Sequence, residues 1–227
     1  MIPSDFSPLF ISLKTAFIST AISFFAGIFL AQKAMKISTA KRNILDGILT
    51  LPLVLPPTVA GFLLLIIFSL KRPFGIFLWE TIGFKAVLTW PGCVIASTVV
   101  AFPLMYRNAR AAFEQVDINY IYAGRTLGLS ERRIFWEVVL PVSAPGIISG
   151  TILTFARALG EYGATSMLAG NIHGKTRTMA VAIASEVSAQ NYDTAAFWTI
   201  ILVVIAFIFV FLINFTAYKG IRKIQRW

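Results

Sequence analysis

Residues 117–141 read DINYIYAGRTLGLSERRIFWEVVLP and interrupt a chain that is otherwise largely apolar. The apolar run before this insert ends at Met105, and the run after it begins at Val142. A bilayer core is crossed by roughly 20 predominantly apolar residues, so a polar segment between two such runs is expected outside the membrane. The insert is therefore predicted to join two membrane-spanning helices on one side of the bilayer.

The first half of the insert predicts a short helix that ends at a glycine. Four residues recur at helical spacing along it: Tyr120, Ala123, Gly124 and Leu127. Gly128 follows, and glycine is the residue best suited to the left-handed conformation that closes many helices. Leu129 is the apolar neighbour that such a helix end favours. Gly128 is therefore predicted to be the joint of the insert.

The second half of the insert predicts another helix, with Ser130 as its N-terminal cap. Glu131 places a negative charge in the first turn, where the positive end of the helix dipole favours one. Four residues form the apolar face of this helix: Ile134, Phe135, Val138 and Val139. Pro141 lacks a backbone N–H, so we expect one helix to end there and another to begin.

The composition is that of a multi-pass membrane protein. Of the 227 residues, 57% are hydrophobic and only 13% are charged, which a soluble fold does not accommodate. The chain is read as a single transmembrane domain, residues 1–227, with spans at about 9–31, 48–70, 86–106, 142–168 and 194–217. We therefore expect an all-α protein with about five transmembrane helices and a cytoplasmic loop over residues 107–141.

The basic residues predict the orientation of the chain, because short loops rich in Lys and Arg stay in the cytoplasm. Besides the insert, two regions are basic: the loop with Lys33, Lys36, Lys41 and Arg42, and the tail with Lys219, Arg222, Lys223 and Arg226. The N-terminus is therefore expected outside and the C-terminus in the cytoplasm. Residues 171–193 are expected on the outer side, on the surface or partly inserted, and the sequence leaves open whether they form a sixth span. The net charge of +10 follows from this orientation and does not indicate a nucleic acid partner.

Prolines interrupt the second predicted span, LPLVLPPTVAGFLLL at residues 51–65. Pro52, Pro56 and Pro57 cannot donate backbone hydrogen bonds, so this helix is expected to be kinked or locally unwound. Backbone groups freed at membrane depth must face other protein or a wet cavity. Pro56, Pro57 and Thr58 are therefore candidate residues of a solute path, with packing as their alternative role.

The remaining candidates lie in the fourth predicted span. Four of them are small residues of its outer half, each either a path residue or a packing residue: Gly160, Gly163, Thr165 and Ser166. Arg157 and Glu161 are four residues apart, one turn on the same helical face. Charges at this depth are costly unless they are paired or wet. An ion pair that fixes neighbouring spans is favoured over direct contact with an anion.

Other classes of function have less support in the residues. The chain has no G-x-x-x-x-G-K-[S/T] phosphate-binding loop, so it is not expected to be an enzyme that hydrolyses ATP by itself. No metal site is expected, because the lone His173 has no acid or cysteine cluster at ligand spacing and Cys93 is read as a packing residue. An ion-coupled secondary transporter fits the interrupted span, but the internal repeat typical of such carriers is missing.

The insert resembles the cytoplasmic EAA loop of ATP-binding-cassette (ABC) importer permeases. That pattern is roughly E-A-A-x-x-x-G, nine residues, I-x-L-P, and the spacing matches from Tyr122 to Pro141. Tyr122 stands where the family usually has Glu, and Val138 where it has Ile. The resemblance implies a type I permease fold in which this loop couples to an ATPase subunit. The coupling residues it implies are Tyr122, Ala123, Gly124, Gly128, Ser130, Val138, Leu140 and Pro141.

Further segments narrow the resemblance to the molybdate permease branch of the oxyanion importers. They are LPLVLPPTVAGFLLL at 51–65, FPLMYRNARAAFEQVD at 102–117, FARALGEYGAT at 155–165 and AGNIHGKTRTM at 169–179. Sulfate/thiosulfate permeases share the first and third of these in looser form. The runs Gly163-Ala164-Thr165 and Gly174-Lys175-Thr176 favour molybdate over sulfate, and they do not separate tungstate from molybdate.

The resemblance also implies the partners. We expect a homodimer in the cytoplasmic (inner) membrane with the solute path between two copies, and two ABC ATPase subunits on the cytoplasmic loops. An extracytoplasmic binding protein would deliver the oxyanion. This chain is expected to bind no cofactor, because ATP is used by the partner subunit. A path that must release its cargo is expected to hold it weakly, through hydroxyl and backbone N–H groups.

Overall fold

The computed structural model describes residues 5–224, and the side chains of residues 5–211. Eleven α-helices occur in that range: α1 Ser7–Ala34, α2 Thr39–Val54, α3 Pro57–Phe68, α4 Pro73–Ile82, α5 Trp90–Glu114, α6 Ile118–Thr126, α7 Glu131–Ile134, α8 Leu140–Leu159, α9 Gly163–Leu168, α10 Met179–Ser188 and α11 Tyr192–Ile224. No strand occurs among these residues, so the predicted all-α class is confirmed. The N-terminal Met1 and Arg226 of the basic tail lie outside the described residues, as do the side chains of Lys219, Arg222 and Lys223.

Among the described residues, three continuous helices are long and apolar enough to cross a membrane. They are Ser7–Ala34, Glu131–Leu159 and Tyr192–Phe211. Helices α2 and α3 together form a fourth candidate, either a broken span or a re-entrant loop. Helix α5 corresponds to the third predicted span, and it extends past Tyr106 to Glu114, so the predicted loop begins with helix. The number and limits of the spans stay a prediction.

The interruption predicted within the second apolar segment is present. Helix α2 ends at Val54, α3 begins at Pro57, and their axes meet at 108°. Leu55 between them has extended backbone angles (φ −67°, ψ 141°). A proline ring pushes the preceding residue out of the helical region, and Pro56 follows Leu55 directly. The two consecutive prolines therefore separate the segment into two helices.

The prediction that one helix ends at Pro141 and another begins there is wrong. Helices α7 and α8 form one continuous helix, joined by a π-helical turn at Phe135–Val139. In this turn the N–H of Leu140 bonds to the carbonyl of Phe135, five residues back. A proline in an α-helix lacks the N–H that would bond four residues back, and its ring strikes that carbonyl. The wider turn relieves this conflict, so the helix continues through the proline.

Helix α5 lies at the centre of the bundle, between α1 and α8. Small residues let the three backbones approach closely. A Cβ added to Gly27 of α1 would lie 2.9 Å from the Cγ of Met105, and one added to Gly150 of α8 would lie 2.5 Å from the Cβ of Asn108. Lipid is as apolar as the helices, so close packing of this kind is what stabilises their association in a membrane.

Residues 171–193 contain one helix of ten residues, α10, which packs against α11. Met179 and Ala182 of α10 are buried together with Trp198 of α11. Ten residues of helix are about 15 Å long, half of a bilayer core. This geometry favours a segment on the surface or partly inserted over a further span.

Candidate functional site

The polar insert has the joint that its sequence predicts. Gly128 has a φ of 75°, in the left-handed region. Its N–H donates to the carbonyl of Arg125 at 2.9 Å, and the N–H of Leu129 donates to that of Gly124 at 3.0 Å. These two bonds satisfy carbonyl groups at the end of α6. No atom lies within 4 Å of a Cβ built on Gly128, so backbone conformation rather than space requires glycine here.

The two helices of the insert are packed at a defined angle. Ser130 caps α7, because its hydroxyl accepts the N–H of Arg133 at 3.4 Å. Across the joint, buried Gly124 contacts Ile134: a Cβ on Gly124 would lie 3.0 Å from Cγ1 of Ile134 and 3.2 Å from Cδ1. A methyl group at position 124 would therefore require the side chain of Ile134 to shift by a few tenths of an ångström.

A charge pair spans the joint on its exposed side. Arg125 donates from Nε to Oε1 of Glu131 at 2.6 Å, and from Nη2 to Oε2 at 3.2 Å. These hydrogen bonds raise the pKa of Arg125. Exposed ion pairs contribute little to stability. The pair's two parallel bonds instead orient the two helices relative to each other.

The insert exposes large apolar side chains instead of burying them. They are Ile118, Tyr120, Tyr122, Leu127 and Trp136. Leu127, next to the joint, is 78% exposed. Tyr122, at the position of the family's glutamate, is exposed, and the guanidinium of Arg125 lies 5.8 Å from its ring centroid. Exposed apolar patches of this kind are typical of surfaces that contact another protein or a membrane.

The other implied coupling residues have different surroundings. Ala123 is exposed beside Tyr122, and Pro141 is exposed at the start of α8. Val138 is half-buried, and Leu140 packs against the cluster that contains Phe113. These last residues support the insert from the membrane side, whereas the outward face is formed by α6 and the joint.

A second region forms where two helix breaks lie side by side. Helix α8 ends at Leu159 and α9 begins at Gly163, next to the break between α2 and α3. A Cβ on Gly163 would lie 2.8 Å from the Cβ of Pro57 and 3.2 Å from the N of Thr58. One on Gly61 would lie 2.6 Å from the Cα of Ala164. The structure therefore brings Pro57, Thr58 and Gly163 together.

The remaining candidate residues of the solute path differ in how exposed they are. Thr58, Pro56 and Gly160 are exposed within this single chain. Thr165 is fully buried, and its hydroxyl has no hydrogen-bond partner among the described residues. Ser166 is half-buried and donates to the carbonyl of Gly163 at 3.1 Å. Of these candidates, only Pro56, Thr58 and Gly160 can contact a solute without a rearrangement of the structure.

Arg157 and Glu161 form an ion pair at the second break. Nη1 of Arg157 lies 2.7 Å from Oε2 of Glu161, whose side chain is 1% exposed. The other oxygen of Glu161 accepts the N–H of Ala164 at 2.7 Å and so caps α9. The two residues do not share one helical face, because α8 ends between them. Their contacts hold the end of α8 to the start of α9.

Sequence reasoning missed a polar cluster between α2 and α5. Asp46 accepts hydrogen bonds from the hydroxyl of Tyr106 and from Arg110. Arg110 also donates from Nε to Glu114 at 2.9 Å. A cleft of about 270 Å³ opens beside the cluster. The only feature in the sequence that could have indicated this cluster was an acid, Asp46, at the edge of an apolar run. Its partners could not be predicted, because they lie about sixty residues away in the chain.

Several known transport permeases are similar to this chain. The family described as "binding-protein-dependent transport system inner membrane component" matches residues 23–219. The molybdenum transport system permease protein ModB of Escherichia coli K12 is 38% identical over 192 residues, 85% of this chain and 84% of that protein. The putative molybdenum transport system permease protein YvgM of Bacillus subtilis is 36% identical over 209 residues, 92% of each chain.

Two further similarities are more distant. The probable sulfate transport system permease protein cysT of Chlorokybus atmophyticus is 32% identical over 213 residues, 94% of this chain and 74% of that protein. Among solved structures, an inward-facing form of the MetNI methionine ABC transporter aligns with a TM-score of 0.73 at 16% identity, over 94% of each chain. The structural similarity shows that the two share a fold.

Proposed function

This chain belongs to the binding-protein-dependent transport system inner membrane component family, and on that premise we propose that it is a permease subunit of an ATP-driven molybdate importer. The two molybdenum permeases compared above are more similar to the chain than the sulfate permease is, and this favours molybdate. Import of sulfate or thiosulfate is the second candidate. The permease acts in the cytoplasmic membrane, with its N-terminus outside.

One observation carries the transport role: the continuous helix Glu131–Leu159 connects the exposed insert to the paired helix breaks. Its 29 residues span about 43 Å at the rise of an α-helix. It begins three residues after Gly128 and ends at Leu159, four residues before Gly163, which packs against Pro57. A displacement of the insert is therefore transmitted along this helix towards the candidate path.

The energy for transport comes from a separate chain in this proposal. The sequence has no phosphate-binding loop, and the insert exposes Leu127 and Tyr122 where an ATPase subunit would dock. Two ATPase subunits and two copies of the permease would form the transporter. Helix α2 supports the second copy, because no residue of α2 is buried within the chain. It exposes Ile44, Ile48 and Leu51 at helical spacing.

The solute path runs past the paired breaks in this proposal. Pro56 and Pro57 have no backbone N–H, so Thr58 supplies the first donor at the start of α3 together with its hydroxyl. The charges of Arg157 and Glu161 cancel, so this pair adds no net charge beside the path. Neutral donors hold an oxyanion weakly, which suits release after translocation. Selectivity would then lie mainly in the extracytoplasmic binding protein.

Reconstitution tests the proposal. The purified chain is inserted into liposomes with its ATPase subunit and its binding protein, and uptake of labelled molybdate is measured with and without ATP. We expect ATP-dependent uptake that excess tungstate reduces and excess sulfate leaves largely unchanged. Preferred uptake of sulfate would support the second candidate. Accumulation driven by an ion gradient without the ATPase would contradict both and identify a secondary transporter.

A further inference from the structure

A basic cleft lies at the end of the bundle opposite the insert. Its volume is about 510 Å³, and its lining includes Phe10, Ile11, Lys14, Leu88, Trp90 and Lys175. Trp90 is the first residue of α5, and Glu114, beside the insert, is the last. The 25-residue helix between them places the cleft about 36 Å from the insert. The residues that line the cleft include no carboxylate.

Lys14 is held at the cleft by an aromatic ring. Its Nζ lies 3.9 Å from the centroid of the Trp90 ring. The ring is itself fixed, because Nε1 of Trp90 donates to the hydroxyl of buried Thr15 at 3.0 Å. Among the described side chains, no carboxylate forms an ion pair with Lys14 or with Lys175. The cleft therefore carries two uncompensated positive charges.

The cleft lies on a side of α1 that is apolar apart from Lys14. Lys14 lies on the exposed side of α1, between Phe10 and Phe17, which are 68% and 58% exposed. Phe25 and Phe29 continue this side towards the other end of α1. Lys14 is the only charged residue in the predicted span 9–31. A lysine in such a position extends its apolar stem along the helix and its ammonium to the membrane surface.

We propose that this cleft binds the headgroup phosphate of an anionic phospholipid, in the leaflet opposite the insert. The phosphate lies between Lys14 and Lys175, and Trp90 stands at the level of the headgroups, where tryptophan is enriched. An acyl chain follows the aromatic side of α1 past Phe10 and Phe17. Basic pockets between transmembrane helices bind anionic headgroups on the cytoplasmic or matrix side of membranes, and the same attraction between lysine and phosphate operates in the other leaflet. The phosphate supplies the negative charge that the protein itself does not provide.

The surroundings of the cleft favour a lipid over a soluble oxyanion. None of the path candidates lines it, and the paired breaks at Pro57 and Gly163 belong to α3 and α9. A free oxyanion would gain contacts with the two lysines but none with the exposed phenylalanines. A phospholipid makes both kinds of contact at once.

The test measures lipid binding to the purified transporter by native mass spectrometry. Phosphatidylglycerol is titrated against phosphatidylcholine for the unchanged chain, for Lys14→Gln with Lys175→Gln, and for Lys14→Arg with Lys175→Arg. The matched control is Lys71→Gln with Arg72→Gln, which removes two exposed charges outside the cleft. We expect the glutamine pair to lose roughly tenfold in affinity for phosphatidylglycerol alone, since it loses the direct charge-assisted contacts of both lysines with the phosphate. The arginine pair and the control should bind as the unchanged chain does.

Four results would overturn the proposal. Equal binding of the two lipids, or undiminished phosphatidylglycerol binding by the glutamine pair, would show that the lysines do not recognise the headgroup. Displacement of phosphatidylglycerol by molybdate would assign the cleft to the solute instead. Dissociation of the two permease copies in the glutamine pair would assign it to their interface. Because this experiment measures lipid binding and not transport, a negative result would not contradict the proposed transport function.

Discussion

Gly163 lies directly against Pro57, with a Cβ built on the glycine only 2.8 Å from the Cβ of the proline. Two residues more than a hundred positions apart thereby join the break between α2 and α3 to the break between α8 and α9. The contact excludes any side chain at position 163, although the backbone there is not left-handed. The paired breaks consequently form one unit rather than two separate interruptions.

The first prediction follows from this contact. Gly163→Ala should destabilise the protein, because overpacking of a well-packed site typically costs about 1–3 kcal/mol. It should also reduce molybdate uptake, because the new methyl group must push α9 away from α3. Thermal unfolding of the purified chain and uptake by reconstituted vesicles measure the two effects. Gly47→Ala is the control, since no atom lies within 4 Å of a Cβ there. Equal effects of both substitutions would contradict the contact.

Some of these features could be predicted locally and others could not. The joint at Gly128 and the break at Pro56 were predictable, because glycine and proline act on the backbone of their own and adjacent residues. The contact of Gly163 with Pro57 was not, because it depends on how distant segments pack. The same holds for Asp46, whose partners Tyr106 and Arg110 lie on another helix. The prediction of a helix end at Pro141 was wrong because it considered only the missing N–H of proline. A π-helical turn just before Pro141 lets the helix continue.

The second prediction concerns the joint of the insert. A β-branched residue in the left-handed conformation costs about 1–2 kcal/mol, so Gly128→Val should distort the angle between α6 and α7. We expect the variant to insert into the membrane normally and to lose ATP-driven uptake. Co-purification with the ATPase subunit and uptake in vesicles are the measurements.

Gly83→Val is the matched control for the joint. Gly83 has a φ of 65° and open space around its Cβ, so the substitution imposes the same strain outside the insert. Uptake should survive in this variant. Normal uptake by Gly128→Val, or an equal loss in both variants, would rule out a specific coupling role for the joint.

The third prediction separates docking from stability at Leu127. Because this side chain is 78% exposed, Leu127→Ala should change the free energy of unfolding by no more than about 0.5 kcal/mol. It should still weaken binding of the ATPase subunit, because it removes the most exposed apolar side chain of the insert. Ile82→Ala, at a position on α4 that is 68% exposed, should change neither quantity. If ATPase binding is unchanged by Leu127→Ala, the apolar face of α6 is not the docking surface.

The fourth prediction concerns the attachment of α2. No residue of α2 is buried in the chain, and Asp46 links the helix to Tyr106 and Arg110 of α5. Asp46→Asn removes the charge that these donors share, and loss of charge-assisted hydrogen bonds costs about 1.5–3 kcal/mol. We expect a lower unfolding temperature and faster proteolysis within α2. The exposed Arg133–Glu137 pair supplies the control: Glu137→Gln should leave both measurements unchanged.

The fifth prediction distinguishes the two roles considered for Arg157. Breaking a buried pair by removing one partner is strongly destabilising, by about 3–5 kcal/mol, whereas removing both is often tolerated. Glu161→Gln and Arg157→Gln should therefore each reduce uptake, since each leaves an uncompensated charge at the second break.

The double variant, Arg157→Gln with Glu161→Gln, decides between those roles. If the pair only holds α8 to α9, uptake should recover towards that of the unchanged chain, because no uncompensated charge remains and the glutamine at 161 still offers an acceptor to the N–H of Ala164. If Arg157 contacts the passing anion, uptake should stay as low as in Arg157→Gln alone. Arg157 keeps 30% of its side chain exposed while its partner is buried, so this comparison tests whether the exposed fraction has a function of its own.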